Sequence, residues 1–162
     1  MLTLINTNRM FPPIAPVGLD YIGSSVHAAG IDVELVDLCI SEDPTSDLDR
    51  YFLARQPELV GLSFRNVDDC FWPSGQSFLP ELNKIVARLR ALTESPLVIG
   101  GVGYSIFPQQ IVMQTGVDFG IHGDGELALV ALIHELRGGR HFDRVPGLVY
   151  HDRDTLRSNR PA

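Results

Sequence analysis

Five short apolar runs, each followed by a segment of helical period, leave this chain few folds to choose from. The runs are Leu2–Asn6, Val33–Leu38, Glu58–Phe64, Leu97–Gly100 and Val117–Ile121. Short, Val/Ile/Leu-rich runs suit strands buried on both faces. Between them Val17, Tyr21, Ile22, Ser25, Val26 and Ala29 recur at helical spacing, as do Leu82, Ile85, Val86, Leu89 and Leu92, and Leu129, Leu132, Ile133 and Leu136. Gly30 stops the first helix and Gly138-Gly139 the last. Thr45 or Ser46 is expected to cap the second helix and Asp124 the last, and a further helix should begin near Ile106. Parallel strands need crossover connections, and the crossing helices cover both faces of the sheet. The expected fold class is therefore α/β: a flavodoxin-like (Rossmann-like) three-layer sandwich with a five-stranded parallel sheet over residues 1–144. Val145–Tyr150 and Thr155–Ser158 flank a His-Asp-Arg-Asp turn and read as a small C-terminal β-hairpin over 145–162.

Composition removes several functions. A chain of 162 residues buries a core without disulfides or a structural metal. Its two cysteines, Cys39 and Cys70, cannot build a disulfide framework, a four-cysteine zinc site or a three-cysteine iron–sulfur site. A net charge of −7 with no basic stripe argues against nucleic acid and anionic membrane as partners. Residues 95–117 carry no charge, but Pro96 and Pro108 break them into strand, loop and helix rather than one membrane span. The N-terminus lacks a basic start followed by a long apolar run, so the expected location is the cytoplasm.

Open α/β sheets bind ligands beyond the carboxyl ends of their strands. Four loops fall there: Thr7–Gly18, Arg65–Gly75, Gly101–Ser105 and His122–Glu126. They are long, rich in Gly and aromatic residues, and suit a large, mostly uncharged ligand approached closely by backbone. Familiar sites fail on context. Gly101-Val-Gly103 follows the fourth strand rather than the first and lacks a third glycine, so it is no dinucleotide fingerprint. Asn6 and Phe64 stand where a phosphorylatable receiver would carry acids. The five histidines are scattered, and none pairs with a second ligand at helical spacing.

Four segments in register with this sheet resemble a known family. They are Gly61-Leu-Ser-Phe-Arg-Asn-Val-Asp68, Ile99-Gly-Gly-Val-Gly-Tyr-Ser105, Val117-Asp-Phe-Gly-Ile-His-Gly-Asp-Gly-Glu126 and Val145-Pro-Gly-Leu-Val-Tyr150. Together they resemble the N-terminal cobalamin-binding domain of cobalamin-dependent radical S-adenosylmethionine enzymes. The resemblance implies cobalamin as cofactor and a methyltransferase as the parent enzyme, with the hairpin leading into a radical domain that this chain lacks. The family's Gly-Glu-Gly-Glu turn reads Gly123-Asp-Gly-Glu126 here. Its Cys-x-x-x-Cys-x-x-Cys is missing, so S-adenosylmethionine and a four-iron–four-sulfur cluster belong only to the absent domain, and no catalytic residue is expected in this one.

The resemblance also implies site residues. Asn8, Pro13 and Pro16 come from the first loop, and Ser63, Arg65 and Asn66 from the third strand and its loop. Gly100, Gly101 and Gly103 should open a slot for the dimethylbenzimidazole tail, with Tyr104 and Ser105 near its ribose and phosphate. Gly123, Gly125 and Glu126 complete the set. His27 and His122 lack the orienting Asp of a cobalt-ligating histidine. Arg65 has no free lone pair to coordinate cobalt. It either faces the lower side of the corrin, leaving the cobalt there without a protein ligand, or pairs with Asp68 or Asp69. Two other readings stay open: a flavodoxin-like regulatory or interaction domain without cofactor, and a nucleotide- or flavin-binding module. The latter would want Ser/Thr-rich or basic loops after the first strand. Trp72 and Phe71 are expected to cover the corrin rim or to meet the radical domain.

Overall fold

The computed structural model describes residues 1–161 of the chain. Strand β1 (Leu2–Asn6) lies between β2 (Val33–Asp37) and β3 (Leu59–Ser63), and β4 (Leu97–Gly100) and β5 (Phe119–Ile121) extend the sheet in parallel. Then β6 (Leu148–Asp152) and β7 (Thr155–Ser158) join antiparallel, giving one seven-stranded sheet in the order β2-β1-β3-β4-β5-β6-β7. The expected hairpin is thus present and continues the main sheet: Val149 pairs with Gly120 and covers the edge that β5 would otherwise leave open. Its turn is shorter than the sequence suggests. His151 and Asp152 stay in the strand, and Arg153 turns at φ +54.

Among the described residues six α-helices cover the sheet: α1 (Val17–Ala28), α2 (Pro44–Ala54), α3 (Leu79–Leu92), α4 (Val102–Ile106), α5 (Pro108–Thr115) and α6 (Glu126–Arg137). Side chains of successive strand residues point to opposite faces. Leu2, Leu4, Leu59, Val98, Phe119 and Ile121 therefore share one face, where Leu19 and Val26 of α1 and Leu129, Leu132 and Ile133 of α6 pack on them. Ile5, Val60, Leu62 and Ile99 take the other face under α2, α3 and α5. Burying a side chain such as Leu132 or Ile133 stabilises by roughly 1.5–3 kcal/mol each. The two layers of apolar contact hold the sandwich together.

Helix starts differ from the sequence expectation in three places. Asp43, not Thr45 or Ser46, caps α2: its carboxylate accepts from the Thr45 and Ser46 amides, and the Ser46 hydroxyl donates to it. Pro44 fixes that earlier start, because proline is preorganised for the first helical position. Asp124 does not cap α6. Gly125 takes the cap position without a side-chain bond, and Glu126 places its carboxylate in the first turn, toward the positive end of the helix dipole. The helix expected near Ile106 begins earlier, at Val102, and Pro108 starts a second one after it.

Candidate functional site

The strand order reverses between β1 and β3, and the chain leaves these strands toward opposite edges of the sheet. A crevice opens beyond their carboxyl ends, as the topology of open α/β sheets leads one to expect. It has two connected parts, which share Gly18, Leu19, Ser63, Gly101 and Val102. The larger is a slot of about 440 Å³ between the sheet and helices α1 and α6. The smaller, about 340 Å³, lies over the ends of β1 and β3 and is lined by Asn6, Asn8, Pro16, Ser63 and Arg65 among others.

The slot exists because side chains are missing from one face. Along β3 the α1/α6 face presents Leu59, then Gly61, then Ser63; along β4 it presents Val98, then Gly100. A Cβ at Gly61 would come within 2.9 Å of the Leu4 side chain, and one at Gly125 within 3.1 Å of Ile22. At Gly101 the backbone turns off β4 at φ +105, where a Cβ would meet the Phe64 carbonyl at 2.8 Å. Only glycine fits that turn. The Tyr104 amide then donates to the same Phe64 carbonyl at 3.1 Å, which ties α4 down to the end of β3.

Most of the residues named from the sequence meet here. Ser63, Gly100, Gly101, Ser105, Gly123, Gly125 and Glu126 line the slot, and Asn8, Pro16 and Arg65 line the adjoining part with Ser63 and Gly101. Asn8 is 6% exposed, and its Nδ2 amide has no partner among the described residues. Its Oδ1 accepts from the Met10 backbone amide, and its own backbone N–H donates to Asn6 Oδ1. Asn6 in turn donates to Asp37, so the β1 loop is braced where it lines the smaller part of the crevice. Arg65 is exposed, and both nearby acids bond within their own loop: Asp68 accepts from the Cys70 amide, and Asp69 from the Phe71 and Gln76 amides and the Ser74 hydroxyl. Those bonds hold the Asp69 carboxyl below its usual range, the Ser74 hydroxyl foremost.

Four named residues lie elsewhere. Pro13 is exposed on the first loop outside both parts of the crevice. Gly103 is buried where a Cβ would press on the Arg65 carbonyl and the Asn66 amide at 2.9 Å, so it sets how closely α4 approaches the β3 loop. Asn66 lines neither part, although its buried Oδ1 lacks a partner among the described residues. Tyr104 also lies outside both parts of the crevice. It is fully buried in the layer under α3 and α5, its hydroxyl unpaired, and burial pushes its pKa up. The one-turn helix α4 points it inward, into the layer opposite the slot. Leu4, Leu19, Ile22, Gly61, Val98, Ile121 and Leu129 were not singled out and line the slot. The signal for them was the gap at Gly61 and Gly100 in an otherwise apolar strand face.

Residues 5–133 match the model of the B12 binding domain family. The chain belongs to that family. This B12-binding domain is 36% identical to tryptophan 2-C-methyltransferase of Streptomyces laurentii over 91% of its own length and 25% of the relative's. It superposes on the radical S-adenosylmethionine methyltransferase TsrM of Kitasatospora setae, solved with cobalamin and a [4Fe-4S] cluster bound. The TM-score is 0.93 at 34% identity, covering 99% of this chain and 29% of that one. The cobalamin-dependent enzyme OxsB, solved with aqua-cobalamin and S-adenosylmethionine, shares the fold at a TM-score of 0.79 and 22% identity, over 99% of this chain and 22% of its own. The B12-binding domain thus spans about a quarter of the length of the relatives it matches, and its cofactor is cobalamin. No helix among the described residues is long and apolar enough to cross a membrane.

Proposed function

We propose that the chain holds cobalamin at the carboxyl edge of its sheet as the cofactor module of a radical S-adenosylmethionine methyltransferase. The tail enters the slot between the sheet and helices α1 and α6, and the corrin lies over the ends of β1 and β3. The observation that carries this reading is the slot itself, open at Gly61 and Gly100 and bounded by glycines whose Cβ atoms would collide with their neighbours. The unpaired Asn8 Nδ2 beside it supports the fit, since a buried donor costs free energy until an acceptor arrives. Bound cobalamin supplies a cobalt centre able to accept and pass on a methyl group, and the protein supplies orientation and electrostatics.

Each residue then has a task. Asn8 and Ser63 donate to corrin amides, and Asn66, outside both parts of the crevice, helps set the β3 loop against Gly103. Ser105, Gly123 and Gly125 border the ribose and phosphate, with Glu126 on the first turn of α6. Arg65, unpaired with either nearby acid, faces the lower side of the corrin and leaves the cobalt there without a protein ligand. Pro13 and Pro16 stiffen the loop over the ring. S-adenosylmethionine and the four-iron–four-sulfur cluster sit on a radical domain of the parent enzyme. Phe71 at 66%, Trp72 at 91%, Val102 at 74% and Phe107 at 49% exposure give that domain an apolar face to cover.

Incubation with hydroxocobalamin followed by desalting tests the reading. One equivalent of cobalamin should stay with the protein, visible in its absorption spectrum. A colourless protein rejects the reading in favour of a cofactor-free interaction domain. Paramagnetic resonance of the cobalt(II) state tests the lower face: no nitrogen splitting from histidine is expected, and such splitting would contradict the role given to Arg65.

A further inference from the structure

We propose that the slot selects among cobamides by the base at the end of the tail, favouring apolar benzimidazoles over purines such as adenine. The inference rests on the reading that the slot receives the tail. At about 440 Å³ the slot is too small for a corrin ring but large enough for a bicyclic base with part of its ribose. Size does not discriminate between the two bases, because benzimidazole and adenine are both flat fused bicycles.

Polarity does. The inner wall is made by the side chains of Leu4, Leu19, Val98, Ile121 and Leu129, each no more than 5% exposed. The polar lining residues Ser63, Ser105, Asp124 and Glu126 are all partly or fully open to solvent, so they stand toward the mouth. Ser105 already accepts from the Gly123 amide. Among the described residues, no side-chain donor or acceptor lines the inner wall. A dimethylbenzimidazole presents carbon and two methyl groups to such a surface. Adenine would bring an exocyclic amine and extra ring nitrogens out of water with no side chain to receive them. Each unpartnered polar group weakens binding by roughly tenfold or more. Adenine's extra groups therefore set the direction of the preference.

The test is a binding titration of the chain with cobalamin, a p-cresolyl cobamide, an adeninyl cobamide and tail-less cobinamide. Cobalamin and the cresolyl form should bind alike, the adeninyl form roughly tenfold or more weaker, and cobinamide weaker than cobalamin. Equal affinity for adeninyl cobamide and cobalamin overturns the selectivity and leaves the cofactor reading standing. Equal affinity for cobinamide shows that the tail lies outside the slot and overturns the proposal too. Failure of all four to bind overturns the cofactor reading itself. Gly100→Ser provides a second measurement. Its Cβ would lie 3.6 Å from the nearest atom, the Ile121 carbonyl oxygen, so it fits and adds a hydroxyl inside the slot. The preference for cobalamin over the adeninyl form should narrow several-fold; an unchanged ratio in the folded variant counts against the proposal.

Discussion

Tyr104 is fully buried with its hydroxyl against Gly120, where an added Cβ would lie only 1.9 Å from the phenol oxygen. The ring is held by close packing and the hydroxyl by nothing. Removing an unsatisfied buried hydroxyl relieves a desolvation cost of about 1–3 kcal/mol. Tyr104→Phe should therefore raise the melting temperature and leave cobalamin affinity unchanged; a loss of affinity would return Tyr104 to the cofactor site. Gly120→Ala should destabilise by about 1–3 kcal/mol through overpacking, measurable by urea denaturation. The burial of this residue is hard to see in the sequence, for a physical reason. Gly-Val-Gly-Tyr-Ser looks like a loop, and loop aromatics face ligands, whereas the turn at Gly101 starts a helix at once and rotates Tyr104 into the core. Asn8 shows the opposite case: a polar residue just beyond a strand is legible as a candidate site residue from its position alone.

Helices and strands came through the sequence well where their periodicity was long. The one-sided pattern of Leu82, Ile85, Val86 and Leu89 is the buried face of α3. Caps were less legible, because Asp43, Thr45 and Ser46 can all cap and only the geometry around Pro44 decides. Asp43→Ala should cost about 1 kcal/mol by loss of the cap, read as a lower urea midpoint with an unchanged slope. A second connection between elements lay beyond the sequence altogether. Arg137 at the end of α6 grips Glu58 before β3 at 2.6 and 2.8 Å, and the Met1 amino group binds the same carboxylate at 2.8 Å. The Arg137 bonds foremost, with the amino group, pull the Glu58 pKa from 4.5 to about 2. A carboxylate depressed in this way stabilises the fold above its unfolded pKa of 4.5, and that contribution fades as pH falls toward 2. The cluster is partly open to solvent, so screening holds the gain to about 1 kcal/mol. Glu58→Gln should lose that amount at neutral pH and show a shallower loss of stability between pH 4.5 and 2; parallel stability curves for both proteins would contradict the linkage.

At the scale of the molecule, one edge differs from the rest. Phe11, Val17, Phe71, Trp72, Val102 and Leu127 are all more than half exposed and sit on loops or first helical turns beyond the carboxyl ends of the strands, with the exposed Tyr21 and Ile106 one turn further on. The sheet and its two helical layers were legible because burial on both faces leaves a strong apolar pattern. The crevice was legible only through its loops. Its walls are ordinary core residues made special by what is absent beside them at Gly61 and Gly100, and two glycines in an apolar strand face are only a weak sign of it. The same absence offers the most direct test. Gly100→Leu places a side chain in the slot from a position where its Cβ clashes with nothing, so the fold should survive. Trp72, the only tryptophan and 91% exposed on the same edge, reports the cofactor by fluorescence quenching. Titration with aquacobalamin should give one-to-one quenching in the native chain and an affinity lower by roughly a hundredfold or more in the folded variant. Equal affinity in the two proteins would contradict the account.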